Sequence, residues 1–361
     1  MDSRLLATLN AQAVSTRDPV LWAKTVCRAA SHFARHGKSD QALISIGVVR
    51  AQFGTELHHE VASWLMLAEG VLHHFQLQPR ESYDRIRRAY GLALALKTES
   101  ALPSCAAWMA HFEFNECLYD KMALHLEEAL TLARQDDHQA IGRAALVMAG
   151  AYHLAGDYPL ARPWYEKARL CAAAEGDDAT LSAMLYNMAA YRASNVRLAD
   201  TFGIDAPKEA HRAALETASS LHYDHAIGTL GLVFLLTMLR GLVLTVEKKY
   251  AEALDLVLGI DLDKIPKRMR ATVLCDMAWC NLNLEAPDRA WPLAALAGEK
   301  LADVADADDV AYVASRISQV AAGCGRTGDM EQYRDRAIAA LASHRLFQTE
   351  LIGRMSKIRV T

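Results

Sequence analysis

Residues Gly142 to Glu175 read GRAALVMAGAYHLAGDYPLARPWYEKARLCAAAE. Large apolar residues recur at Leu146, Met148 and Tyr152, with the small Ala149 among them. After Gly156-Asp157-Tyr158 come Ala161, Tyr165 and Ala168. This spacing predicts two amphipathic helices joined by a glycine turn. Small side chains at Ala149 and Ala161 allow the two backbones to cross at roughly 8–10 Å. Gly156 can take the left-handed conformation that ends the first helix, Asp157 can cap the second, and Pro159 suits its first turn. Pro163 removes one helical hydrogen bond, which predicts a kink or a late start.

The same outline recurs along the chain. Ala29, Ala30 and Phe33 lead to a turn at Gly37-Lys38-Ser39; Gly70 leads to Pro79; Met109 and Ala110 lead to Tyr119. The turn markers Ser39, Pro79, Tyr119 and Tyr158 stand 40, 40 and 39 residues apart. Later units follow through Gly241 and Tyr250, through Met277, Ala278 and Pro287, and through Val320, Ala321 and Gly328. One such hairpin cannot bury its own apolar stripe, so each needs neighbours.

A bulky-bulky-small-aromatic helix, a Gly-Asp-Tyr turn and an Ala-aromatic-Ala helix resemble a tetratricopeptide repeat, with a period longer than that repeat's usual ~34 residues. The expected fold is all-α: a right-handed α-solenoid of about eight helix-turn-helix repeats forming a single domain over residues 1–361. Within it, residues 1–18 form an N-terminal capping helix, residues 22–342 the repeats with an irregular insertion near 194–207, and residues 343–361 a C-terminal capping helix. The long period and Ala-rich helices resemble the sensor and partner-binding regions of bacterial regulators, which implies a stand-alone regulatory or scaffold module.

Composition narrows the function classes. Of 361 residues, 52% are apolar but only 7% aromatic, which suits packing through small residues. The net charge of −4 gives no electrostatic case for nucleic acid. Seven cysteines, an odd number with no CxxC pair, read as buried hydrophobes in a reducing, cytoplasmic setting. Residues 226–246 are almost wholly apolar, yet Arg240 and three glycines interrupt them, so a buried helix is expected there and no membrane span.

No phosphate loop, Gly-x-Ser-x-Gly or zincin motif is present, so an enzyme is not expected. No cofactor and no metal are expected either, because His73-His74 and His222/His225 lack a carboxylate or cysteine at ligand spacing. The resemblance implies that the first helix of each hairpin lines a concave groove. The corresponding residues here include Trp64, His74, His111, Phe114, Asn115, Arg143, His153, Tyr186 and Trp279. Aromatics with interspersed Arg, His and Asn suit an interface. The expected ligand is a protein or peptide partner, with a homodimer also open; alternatives are a sensor enclosing a small ligand and an accessory subunit of an enzyme complex. Residues Cys27, Ser31, Leu67 and Val71 stand where chaperone-tail clamps carry Lys, Asn and Arg, so that role is disfavoured.

Overall fold

The structure, a computed structural model, describes residues 3–54 and 58–359. The protein is 82% helical, and no strand occurs among the described residues. The chain divides into two compact units.

The first unit takes the described residues of Met1–Met184, His222–Leu232 and Leu351–Thr361. Helix α1 (Arg4–Ser15) is followed by α2 (Pro19–Arg35), α3 (Ser39–Phe53), α4 (His59–Phe75), α5 (Pro79–Ala95), α6 (Leu102–Asn115), α7 (Tyr119–Leu132), α8 (His138–Leu154) and α9 (Tyr158–Glu175). Consecutive helices from α2 onward pair as hairpins, and α2 packs on α4 as α6 does on α8. All four turn markers begin a helix. Each turn carries a left-handed residue: Gly37, Leu77, Cys117 and Gly156, with φ of 74°, 59°, 57° and 79°. Each also repeats one backbone bond, from Lys38 to Phe33, Gln78 to His73, Leu118 to Glu113 and Asp157 to Tyr152, at 2.7–3.0 Å. This is the Schellman closure, which satisfies carbonyls left open at a helix end.

Close helix crossings rest on small residues. Ala149 and Ala161 are fully buried. A Cβ on Gly70 would stand 2.3 Å from Cγ1 of Ile86 on α5. Helix α9 starts at Tyr158, where Asp157 accepts from the Leu160 amide, and continues through Pro163 with no late start.

The second unit spans Leu185–Leu221 and Val233–Glu350. It holds parts of α10 (Asp178–Thr201), α11 (Pro207–Ile227) and α17 (Thr327–Met355), with α12 (Val233–Val246), α13 (Tyr250–Leu258), α14 (Lys267–Asn283), α15 (Pro287–Glu299) and α16 (Ala307–Gly323). Left-handed Lys248, Glu285 and Gly325 repeat the same turn, with Lys249 bonded to Leu244, Ala286 to Asn281 and Arg326 to Ala321.

Three expectations change. The insertion near 194–207 is mostly helix, because α10 contains no proline or glycine to stop it before Thr201. The apolar run 226–246 is broken between Ile227 and Val233, and no helix among the described residues is long and apolar enough to cross a membrane. The return helix of the last hairpin and the expected closing helix at 343–361 are one continuous helix, α17, again with no internal proline. Residues 1, 2, 360 and 361 of the two expected caps lie outside the described residues.

Candidate functional site

In the first unit, Arg28, His32 and Arg35 follow one another at helical spacing on α2, so they share a face. Arg28 pairs with Glu175 at the end of α9. Arg35 donates to Asp177 Oδ2 at 2.8 Å and to Thr180 Oγ1 at 2.6 Å. Thr180 donates in turn to Asp177 from both its amide and its hydroxyl. Burial opposes ionisation of Asp177, but the charge and hydrogen bond of Arg35 outweigh it and hold the carboxyl below the usual range.

Arg143 on α8 faces this group and differs from the other two arginines. It is 8% exposed. Its guanidinium lies 4.2 Å from the centroid of Trp108 on α6. Neither a hydrogen bond nor an ion pair engages it among the described residues, while Arg28 and Arg35 both have carboxylates. Burial and the nearby Arg35 push its pKa down to about 9, which Asp177 partly opposes, so it stays a cation at neutral pH. Together these residues, with Gln139 and Glu175, line a recess of about 30 Å³. That volume admits two or so water-sized atoms. An anionic oxygen there would meet the Arg143 fork against an aromatic wall.

Around Trp108 gather several residues expected from the sequence. His74 and His111 stand edge-on to its ring at centroid distances of 6.4 Å and 5.3 Å. Asn115 Nδ2 is 3.3 Å from His111 Nε2. His74, His111, Asn115 and Arg143 thus form one neighbourhood. The others do not join it. Trp64 is buried, its N–H reaching Ser100 Oγ at 3.2 Å, with Lys24 over its ring. His153 is buried with Nδ1 3.1 Å from the Tyr165 hydroxyl. Phe114 faces Tyr119 across 6.2 Å at its own turn.

Tyr186 and Trp279 belong to the second unit. Tyr186 packs with Ala189, Ala193, Leu239 and Leu242, and burial pushes its pKa up to about 12. Trp279 lies under Arg316, 4.2 Å from its ring centroid, and Arg316 pairs with Asp200. Nearby, Arg197 lies over Tyr312 at 3.9 Å and bonds Asp309 at 3.0 Å, while Tyr312 donates to Asp276. Each of these arginines has a carboxylate partner, although Nε of Arg197 and of Arg316 makes no hydrogen bond, and the arrangement is that of a structural network.

Sequence reading passed over Trp108, His32 and Asp177. Trp108 precedes His111 by one helical turn, which is the signal that could have found it. Asp177 follows Gly176 at a helix end, and no local pattern marks it.

No protein-family model matches this chain, and a search of curated proteins returned no match.

Proposed function

We propose that the chain is a non-enzymatic regulatory or scaffold protein of tetratricopeptide-like architecture, a right-handed α-solenoid of about eight repeats. It acts in the cytoplasm and binds a protein or peptide partner through an anionic group received by Arg143 and Trp108. The recurrence of one left-handed turn at 37, 77, 117 and 156, and again at 248, 285 and 325, supports the repeat reading. All seven cysteines are free, which is consistent with a reducing setting.

The observation that carries the binding reading is the buried, unpaired Arg143 cation on its aromatic platform. A buried charge without a partner is costly, and such sites are commonly completed by a ligand. The small recess supports a group projecting from a larger partner, such as a carboxylate, more than an enclosed metabolite.

The test uses two pools of fluorescent peptides that differ only in a free or amidated C-terminus. Binding of the free-carboxylate pool is expected to exceed that of the amidated pool and to weaken about tenfold or more in Arg143→Ala. Equal binding of the two pools, or unchanged binding by a folded variant, would sink the reading.

A second reading, a small-ligand sensor, has one observation in its favour. A separate cavity of about 380 Å³ lies between α1 and the C-terminal end of α2, within the size range of small-molecule sites.

A further inference from the structure

His32 and His36 are one turn apart at the end of α2, and Asp178 opens α10. Their ligand-capable atoms all lie within 4.8 Å of one another. Asp178 Oδ1 is 3.3 Å from His32 Nε2 and 2.9 Å from His36 Nε2. Ser3 Oγ stands 2.9 Å from the same His32 nitrogen. For a tetrahedral cation with bonds of ~2.0–2.1 Å, neighbouring ligand atoms stand about 3.3 Å apart. The two edges to Asp178 Oδ1, 3.3 and 2.9 Å, are close to that value.

The hydrogen bonding of this cluster is incomplete at His32. His32 is 1% exposed and has a carboxylate at each nitrogen: Asp178 near Nε2 and Asp177 Oδ1 3.8 Å from Nδ1. Its Nδ1 has no hydrogen-bond partner. A neutral imidazole carries one N–H and can serve only one of two carboxylates. Asp177 is already neutralised by Arg35, whereas Asp178 pairs only with the two histidines among the described residues. The cluster therefore pairs its carboxylate with imidazoles alone, beside a buried ring nitrogen that has no hydrogen-bond partner.

We propose that His32, His36 and Asp178 form a binding site for one divalent transition-metal cation of the zinc class, with a coordination position open to the adjoining cavity. With a cation against both Nε2 lone pairs and Asp178, the His32 proton moves to Nδ1 and points at Asp177, the outer-shell arrangement usual for metal-bound imidazole. Two imidazoles and one carboxylate leave at least one position for water, the Ser3 hydroxyl or a ligand atom. The adjoining cavity of about 380 Å³ is lined by Ser3, Leu6, Asn10, Phe33 and Lys38. The backbone around the site is braced, since the Leu230 amide donates to the His36 carbonyl at 3.0 Å. A Cβ on Gly37 would stand 2.7 Å from the Leu230 carbonyl carbon.

Tag-free protein stripped with a chelator and titrated with Zn²⁺ tests this site. One saturable equivalent is expected, and Co²⁺ in its place should give the strong visible absorption of a low-coordinate site. His36→Ala and Asp178→Asn should each weaken Zn²⁺ binding at least about tenfold. A variant lacking a histidine pair elsewhere in the chain, His58→Ala with His59→Ala, should bind as the wild type does. Absence of a saturable equivalent, or a stoichiometric site that survives both ligand substitutions, overturns the proposal. If a ligand variant loses its helical circular-dichroism signal, the X-ray absorption spectrum of the zinc-loaded wild type decides. Two imidazoles with oxygen support the site; a sulfur ligand or a single imidazole overturns it.

Discussion

The guanidinium of Arg143 lies 4.2 Å above the ring of Trp108, reaching from α8 to α6. The contact supplies the cation with an aromatic face and no negative charge. Cation–π attraction contributes about 0.5–2 kcal/mol, less than the several kcal/mol needed to bury a charge. Arg143 is therefore expected to sit at a cost to stability.

Arg143→Met tests that balance, because it keeps the packing volume and removes the charge. The variant should be more stable than the wild type by about 1–2 kcal/mol in urea denaturation. A loss of stability would mean that Arg143 is a structural residue satisfied by its surroundings.

Gly70 leaves no room for a side chain beside Ile86. Gly70→Ala should cost about 1–3 kcal/mol despite the better helix propensity of alanine. Adding Ile86→Val, which shortens the obstructing side chain, should recover part of that loss. Purely additive effects would show that the two residues do not constrain each other.

Arg197 is 5% exposed, bonds Asp309, and has its Nη1 3.9 Å from Asp276 Oδ2. Replacing it with alanine leaves the buried Asp276 carboxylate without its cation, held only by the Tyr312 hydroxyl. Thermal and urea unfolding should show a loss of about 3–5 kcal/mol. A change below 1 kcal/mol would contradict the network as drawn.

Stability should also depend on pH through the start of α16. Burial, then repulsion from Asp306 at Asp308 and from Asp308 at Asp309, raises both carboxyls to about 6, against the lowering influence of Arg197 and, for Asp309, Arg268. A raised carboxyl pKa means that the folded state binds protons more tightly than the unfolded chain. The associated stability is present below pH ~4 and is lost as pH rises through about 6. Asp308→Asn removes that loss. The variant should match the wild type below pH ~4 and become progressively more stable than it toward pH 7. His344, which faces Asp306 and Asp309 and is lowered by burial, titrates in both proteins, so the difference between them reports the loss of the Asp308 carboxyl and the relief of Asp309 beside it. A difference that does not vary with pH would exclude this origin.

Helix position is decided locally, and it was legible for that reason. Apolar periodicity, caps and turn residues act over a few neighbours, so Ser39, Pro79, Tyr119 and Tyr158 could each be read as the start of a helix. Reading was weakest where the local signal was silent. Leu77 and Cys117 occupy left-handed turns that glycine would normally announce. Helices α10 and α17 run on where an insertion near 194–207 and a separate closing helix from 343 were expected. The sites were another matter. Arg143 could be picked out from its register, but its lack of a partner depends on where Glu175 and Asp177 commit their charges. Arg35 meets Asp177, and His36 meets Asp178, across 142 residues of sequence. In the sequence Gly176-Asp177-Asp178 reads only as a helix end followed by a cap. Tertiary packing alone brings those carboxylates against the face of α2, because no local rule couples a side chain to a partner so far along the chain.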